Sequence, residues 1–178
     1  MIKKLGLPLF MILFFAITVP SFYLISSQSI TITEKKVVYE LPYPGILPDN
    51  PLYFLKKTRD IIMDFTTRDN LKKAKRYLQI SDKDVNAGVL LVKKGKNTLA
   101  VDTILEGEQY SVKIPALLKA AKIQGESPDA QFVEKLNLSN NKHREVVQQL
   151  LKTIPQGDQK KLQEIFKLNE EVRKNLPH

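Results

Sequence analysis

The feature that most constrains this chain is a long uncharged run near its N-terminus. No charged residue stands between Lys4 and Glu34, and among residues 5–25 only Thr18 and Ser21 are small polar residues. A helix over those 21 residues is about 31 Å long, which matches the apolar core of a bilayer. Such a helix has no face suited to water, so a buried core helix is the weaker interpretation. The run therefore predicts a transmembrane helix.

The flanks of the run predict its orientation and leave its processing open. Lys3 and Lys4 precede it and stay cytoplasmic under the positive-inside rule, which places the rest of the chain outside. Small serine residues follow it, and a signal peptidase accepts such residues, so residues 1–27 are either a membrane anchor or a signal peptide. The length of the run favours the anchor. We expect a single-pass protein of the cell membrane with its C-terminal domain extracytoplasmic, or a secreted protein if the leader is cleaved.

Residues 28–50 are predicted to form an extended, Pro-rich connector. Pro42, Pro44 and Pro48 each fix φ and push the preceding residue towards extended geometry. The apolar side chains in and just after this segment predict that it packs onto the helical body. They are Tyr43, Ile46, Leu47, Tyr53 and Phe54. The alternative is that the segment is a ligand for an aromatic groove on another protein.

Residues 51–178 are predicted to be a helical domain. Asn50 and Pro51 suit the start of a helix, and Gly95 is placed as a left-handed C-cap. The three middle helices have similar lengths and short connections, which is typical of an antiparallel bundle. The β-prone residues before residue 41 have no partner strands. The predicted fold is all-α, an antiparallel helical bundle of about five helices behind an N-terminal transmembrane helix and a Pro-rich extended segment.

The residues that usually carry chemistry are few. The absence of Cys removes disulfides, cysteine-ligated zinc, iron–sulfur clusters and thiol catalysis. His143 lies on the apolar stripe of its helix, where a histidine is typically a hydrogen-bonded core residue. Three pairs of neighbouring carboxylates diverge on a helix and are interpreted as solvated. They are Asp82 with Asp84, Glu106 with Glu108, and Glu170 with Glu171. We therefore expect no catalytic residue, no metal, no cofactor and no enzymatic activity.

Residues 41–56, LPYPGILPDNPLYFLK, resemble the hallmark segment of a bacterial extracytoplasmic family known only as domain-of-unknown-function family 5667. Two further stretches fit in the same order: KGKNTLA at 94–100 with GEQY at 107–110, and HREVV at 143–147. The resemblance covers residues 41–175. It implies an exported helical protein, often behind a signal sequence or a membrane anchor. It implies no catalytic residues, because none are assigned in the family.

The positive charge of the chain is concentrated in its first two predicted helices. The chain carries 28 Lys and Arg against 19 Asp and Glu, and residues 56–96 hold 12 of the basic and 5 of the acidic residues. On a helical wheel one basic face collects five of them, opposite an apolar stripe: Lys72, Lys73, Lys75, Arg76 and Lys83. Such a face is a candidate surface for anionic lipid or cell-wall polymer, although an ordinary wetted face has the same pattern. Nucleic acid is the least expected partner, because aromatic residues do not interleave with the basic ones.

These observations predict a membrane-tethered, extracytoplasmic helical protein that acts by binding or as a scaffold. Its membrane contact is the N-terminal helix, and the sequence does not identify a protein partner. The alternative function is a basic module that binds anionic lipid or cell-wall polymer.

Overall fold

The computed structural model describes residues 37–177, so the predicted anchor over 1–27 and the first part of the connector lie outside the described residues. The described part of the chain is all-helical, which confirms the predicted fold class at that level. Its helices are α1 (Tyr53–Thr66), α2 (Asn70–Lys93), α3 (Asn97–Ile123), α4 (Ala130–Thr153) and α5 (Gln159–Asn175), with a short 3-10 turn at Gln156–Asp158. Among residues 37–177, no helix combines the length and the apolar character that a membrane crossing needs.

Short polar residues and glycines set the ends of the helices. The Asp69 carboxylate accepts from the backbone N–H of Lys72 at 2.9 Å and begins α2, and the Asp129 carboxylate accepts from that of Phe132 at 2.7 Å and begins α4. Gly95 closes α2 with a φ of +73°, a conformation that residues with a Cβ rarely adopt. The helix boundaries therefore follow from local chemistry that the sequence already displays.

Four helices, α2 to α5, form a bundle built from two antiparallel hairpins. Helix α2 packs along α3, and α4 packs along α5. The two hairpins lie side by side with α2 parallel to α4 and α3 parallel to α5. Accordingly, Lys75 of α2 meets Asp129 at the start of α4, and Thr98 of α3 meets Asp158 just before α5. The predicted antiparallel arrangement holds within each hairpin, whereas the short α3–α4 loop joins helices at opposite corners of the bundle.

The interior of the bundle consists of two apolar clusters separated by a polar layer. The first cluster is Ala74, Tyr77, Leu78, Ile114, Leu118, Phe132, Leu136, Val172 and Leu176. The second cluster is Val85, Val101, Ile104, Val146, Val147, Leu150, Ile154, Leu162 and Ile165. The polar layer between them contains Ser81, Asp82, Glu108, Ser111, Ser139, Asn140, His143 and Asn169, all of them buried. Each of the four helices passes through a cluster, then the layer, then the other cluster.

The connector is held to the bundle by polar contacts rather than by the side chains that the sequence suggested. Tyr43, Ile46 and Phe54 are exposed, so the prediction that they pack as part of the core is wrong. The reason is that this part of the connector is attached to α2 through its backbone. The side-chain amide of Asn86 donates to the carbonyl oxygen of Pro42 at 2.9 Å. Leu41 packs against the second cluster. The other two predicted residues of the connector, Leu47 and Tyr53, are only half-buried.

Helices α2 and α3 pack closely against each other at two glycines. A Cβ built on Gly88 would lie 2.3 Å from Ile104 Cγ1 and 2.9 Å from the carbonyl oxygen of Ala100. A Cβ on Gly107 would lie 3.1 Å from the carbonyl oxygen of Ser81. Because backbone atoms stand in the way at both positions, side chains alone cannot relieve the clash.

We expect Gly88→Ala to destabilise the bundle. Alanine favours the helix by up to about 1 kcal/mol over glycine, but overpacking of a close contact costs about 1–3 kcal/mol. The net effect is a lower melting temperature and a lower midpoint of urea unfolding. Gly157→Ala is the matched control, because a Cβ at that position meets nothing within 4 Å. A Gly88→Ala variant as stable as the Gly157→Ala variant would contradict the close packing.

Candidate functional site

The centre of the polar layer is His143, which bonds two carboxylates through its two ring nitrogens. Its Nε2 lies 3.0 Å from Asp82 Oδ1 on α2, and its Nδ1 lies 2.8 Å from Glu108 Oε1 on α3. All three side chains are fully buried. Helices α3 and α4 occupy opposite corners, so the His143–Glu108 bond crosses the middle of the bundle. The arrangement requires a proton on each ring nitrogen, since both partners are carboxylate acceptors.

The charges around His143 control its protonation. Burial by itself lowers the pKa of His143, but the negative charges of Glu108 and Asp82 outweigh burial and raise this pKa from 6.5 to about 10. Burial pushes the pKa of Asp82 upwards, yet hydrogen bonds from His143, Ser139 and Tyr39 hold it below its ordinary value. The raised pKa of His143 therefore favours its protonated, imidazolium form at neutral pH.

Two hydroxyl groups stabilise the second negative charge. The Tyr39 hydroxyl donates to Asp82 Oδ2 at 2.5 Å, and the Ser139 hydroxyl donates to Asp82 Oδ1 at 2.5 Å. Burial and the charge of Asp82 raise the pKa of Tyr39, so its hydroxyl keeps its proton. Tyr39 belongs to the connector, and the network therefore joins the connector to α2, α3 and α4.

The group has the composition of a serine–histidine–glutamate triad but not the geometry of one. Ser139 Oγ lies 3.5 Å from His143 Nε2, and Glu108 bonds the other ring nitrogen. A triad needs a neutral histidine that accepts the serine proton, in a place that a substrate reaches. In this protein the Ser139 proton points to Asp82, His143 is cationic, and the whole group is enclosed. The arrangement supports a structural role.

A reciprocal contact extends the polar layer to α5. The Asn140 side chain donates to the Asn169 carbonyl at 3.1 Å, and the Asn169 side chain donates to the Asn140 carbonyl at 3.0 Å. On the α2–α3 side, the hydroxyls of Ser81 and Ser111 are 2.6 Å apart. Each of the four helices of the bundle therefore contributes a polar side chain to the same layer, where it contacts a polar group of another helix.

The structure corrects the prediction that the neighbouring carboxylates are solvated for three of the six residues, whereas Glu106, Glu170 and Glu171 are partly or fully exposed. Asp82 and Glu108 lie in the polar layer, and Asp84 is buried against Lys56 of α1 at 3.3 Å. Burial raises the pKa of Asp84 to about 6, although Lys56 acts in the opposite direction. Asp82 and Asp84 point to different sides of α2, as predicted, but each of them contacts a partner on another helix. The sequence did contain one indication of the polar layer, because Ser139 falls on the same apolar stripe of its helix as His143.

The five predicted basic residues lie on α2 but do not form an open basic face. Lys73 faces Asp64, Lys75 faces Asp129 and Arg76 faces Asp60, at 3.3–3.4 Å. The Arg76 guanidinium is mostly covered by α1, where its Nη2 also donates to the Asp60 carbonyl at 2.9 Å. Lys72 is exposed and pairs with Asp69, and Lys83 is half-buried. Acidic residues from α1 and α4 therefore interleave with the basic ones.

Helix α1 turns its polar side to the bundle and its apolar side away from it. Lys56 reaches Asp84, Lys57 reaches Glu106, and Asp60 and Asp64 reach α2 as described above. The opposite side carries large exposed side chains, whose exposed fractions run from 46% for Met63 to 89% for Phe65. They are Phe54, Leu55, Ile61, Ile62, Met63 and Phe65. We call Phe54, Leu55, Ile61, Ile62 and Phe65 the apolar face of α1.

The charged residues that line the groove beside α1 are paired. A groove of about 590 Å³ runs between the start of α1 and α3 and is open to solvent. Its charged residues are paired: Lys57 with Glu106, and Asp102 with Lys161 of α5. Within residues 37–177, no set of three His, Asp or Glu side chains is arranged to hold a metal ion.

A family profile described as Domain of unknown function (DUF5667) matches residues 45–174. The chain belongs to this family. No curated protein and no solved structure matches the chain at a significant level. The DUF5667 match begins within the connector and ends one residue before the end of α5. It includes His143, Asp82 and Glu108, whereas Tyr39 lies ahead of it.

We expect His143→Gln to destabilise the DUF5667 bundle strongly. The substitution leaves two buried carboxylates without their cation, and breaking a buried ion pair on one side costs about 3–5 kcal/mol. The measurement is the free energy of unfolding in urea at neutral pH. Lys161→Gln is the control, because the Lys161–Asp102 pair is about half exposed and its loss has little effect.

The same pair of proteins tests the pH dependence. The folded-state pKa of His143 is raised, so its stabilisation is complete below 6.5, declines above that pH and is lost as pH rises through about 10. The difference in unfolding free energy between the parent and His143→Gln should therefore shrink across that interval. A difference that stays constant from 6.5 to 10 would show that His143 is not held as a cation.

Proposed function

We propose that this protein is a membrane-tethered, extracytoplasmic helical protein that acts by binding, with the apolar face of α1 as its contact surface. One observation carries the proposal. A helix on the outside of a well-packed bundle exposes five large apolar side chains on one face, while Lys56 and Asp60 on its other side face inwards and pair with α2. Contiguous exposed apolar surface of this kind marks interaction sites in soluble domains.

The ion pairs of α1 fix the direction of its apolar face. Lys56 and Asp84 are both largely buried, as are Arg76 and Asp60, and each pair joins α1 to α2. Rotating α1 to bury Ile61 and Phe65 would pull these charges apart, which is costly for buried partners. These ion pairs therefore orient α1 so that its apolar face points away from α2.

The tether is supported by the uncharged run over residues 5–25, which has the length of a membrane span and two lysines on its predicted cytoplasmic side. We further propose that the protein has no chemistry of its own, because the buried His143 is bonded to a carboxylate at each of its two ring nitrogens. The alternative function, a basic module for anionic lipid or cell-wall polymer, receives less support. Four of its five residues, Lys72, Lys73, Lys75 and Arg76, already face carboxylates.

We expect the full-length protein to stay in the membrane fraction after high-salt and alkaline extraction. Apolar insertion is insensitive to salt, whereas charge attraction is screened. Leu13→Arg with Phe14→Arg should release it, because each charge at the centre of a span costs about 2.5–3.5 kcal/mol. Gln163→Arg, on the exposed side of α5, is the control. An intact mass that corresponds to a product beginning between Gln28 and Thr31 would identify the leader as a signal peptide.

The absence of cysteine allows a direct test of the contact surface. We expect a single cysteine introduced as Phe65→Cys to react slowly with a membrane-impermeant maleimide in intact membranes, because its face is covered there. Gln163→Cys, which also points outwards, should react fast from the extracytoplasmic side. Equal reaction at both positions, with the protein still in the membrane, would show that the face of α1 is uncovered.

A further inference from the structure

We infer that the apolar face of α1 lies in the interfacial region of the membrane that holds the chain, an assignment that rests on the tether and the contact surface proposed above. The occupant of this face is then the lipid bilayer, with α1 lying in the plane of the membrane and the bundle on its water side.

The distribution of side chains around α1 is that of an interfacial helix. At about 100° per residue, Phe54, Leu55, Ile61, Ile62 and Phe65 fall within an arc of about 120°. The side that meets the bundle is centred about 140° away on the same geometry. Aromatic and branched aliphatic residues on one side and charged residues on the other are the pattern of helices that lie in the headgroup boundary.

The polar groups near this face are already satisfied by the helix itself. Thr58 lies within the apolar arc, and its hydroxyl donates to the carbonyl of Phe54 at 2.9 Å. Thr66 lies at the edge of the arc, and its hydroxyl donates to the carbonyl of Ile62 at 3.0 Å. A surface that enters an apolar medium needs its hydroxyls bonded internally, because no water is available there.

The charges of α1 are also arranged as a membrane surface requires. Both acidic residues of the helix, Asp60 and Asp64, face α2 and meet cations there. Arg59 borders the apolar arc and is largely exposed although it pairs with Asp60 at 2.8 Å, and Arg68 is exposed just beyond the end of the helix. Exposed cations beside an apolar face favour an anionic headgroup region, and no acidic residue of α1 opposes it.

The length of the helix and of the connector fit this placement. A helix of 14 residues is about 21 Å long, which is too short to span a bilayer but sufficient to lie within its surface. The predicted span ends at residue 25, and eleven residues separate it from Val37. An extended chain of that length covers at most about 40 Å, so the bilayer that holds the span is within reach of the helical body.

The absence of tryptophan from the chain provides the test. Full-length Phe65→Trp is reconstituted into vesicles of phosphatidylcholine and phosphatidylglycerol, with and without bromine on the acyl chains. We expect a blue-shifted emission that brominated lipid quenches and that acrylamide in the water does not reach. Full-length Gln163→Trp is the matched control, because α5 packs on α3 and α4 and residue 163 faces outwards. Its emission should be quenched by acrylamide and not by brominated lipid.

The outcomes separate this inference from the proposed function. Quenching by brominated lipid at position 65 and not at position 163 supports the inference. A protein that floats with the vesicles but has both tryptophans in water overturns the inference and the contact surface, and leaves the tether. A tryptophan at 65 that is shielded from acrylamide and not quenched by lipid means that a protein surface, such as a second copy of this chain, covers α1; that result overturns the inference alone. A protein that does not float overturns both the tether and the inference.

Discussion

The interaction on which the rest of the structure depends is the bond of one buried imidazolium to two buried carboxylates. His143 connects α4 to two other helices at once, to α2 through Asp82 and to α3 through Glu108. One cation cannot balance two anions, and the hydroxyls of Tyr39 and Ser139 supply the remaining stabilisation to Asp82. Because every partner is desolvated, the group is stable only when all its members are in place.

This requirement sets the register of the bundle. The apolar clusters above and below the layer consist largely of aliphatic residues, which tolerate a shift of one helix along another better than a hydrogen-bonded group does. The layer does not tolerate such a shift: moving α4 by one turn would separate His143 from Asp82 and leave both charges buried and unpaired. The reciprocal bonds of Asn140 and Asn169 impose the same condition on α4 and α5. We therefore attribute the alignment of the helices to the polar layer and the bulk of the folding energy to the two apolar clusters.

The features that the sequence predicted are those fixed by short-range chemistry. The helices follow from apolar spacing and the end of α2 follows from Gly95, as predicted, whereas Asp69 and Asp129, which begin α2 and α4, were not the predicted caps. The burial of His143 was predictable from its place on an apolar stripe. The burial of Asp82, Asp84 and Glu108 was not predictable from the sequence. A carboxylate on a helix is normally exposed to solvent, and it is buried only where residues on other helices pair with it. The orientation of α1 was missed for the same reason: apolar spacing identifies a face but does not show whether protein covers it.

Helix α2 attaches both the connector and α1 to the bundle. It receives Tyr39 at Asp82, the connector backbone at Asn86, and α1 at Asp84 and Arg76. All of these attachments use polar groups of the N-terminal segment, which leaves apolar side chains such as Tyr43, Phe54 and Phe65 exposed. A segment attached by its apolar side would be part of the core and have nothing left to bind. A segment attached by its polar side keeps an apolar surface outwards at a fixed angle to the bundle, which is the condition for a surface that binds without changing shape.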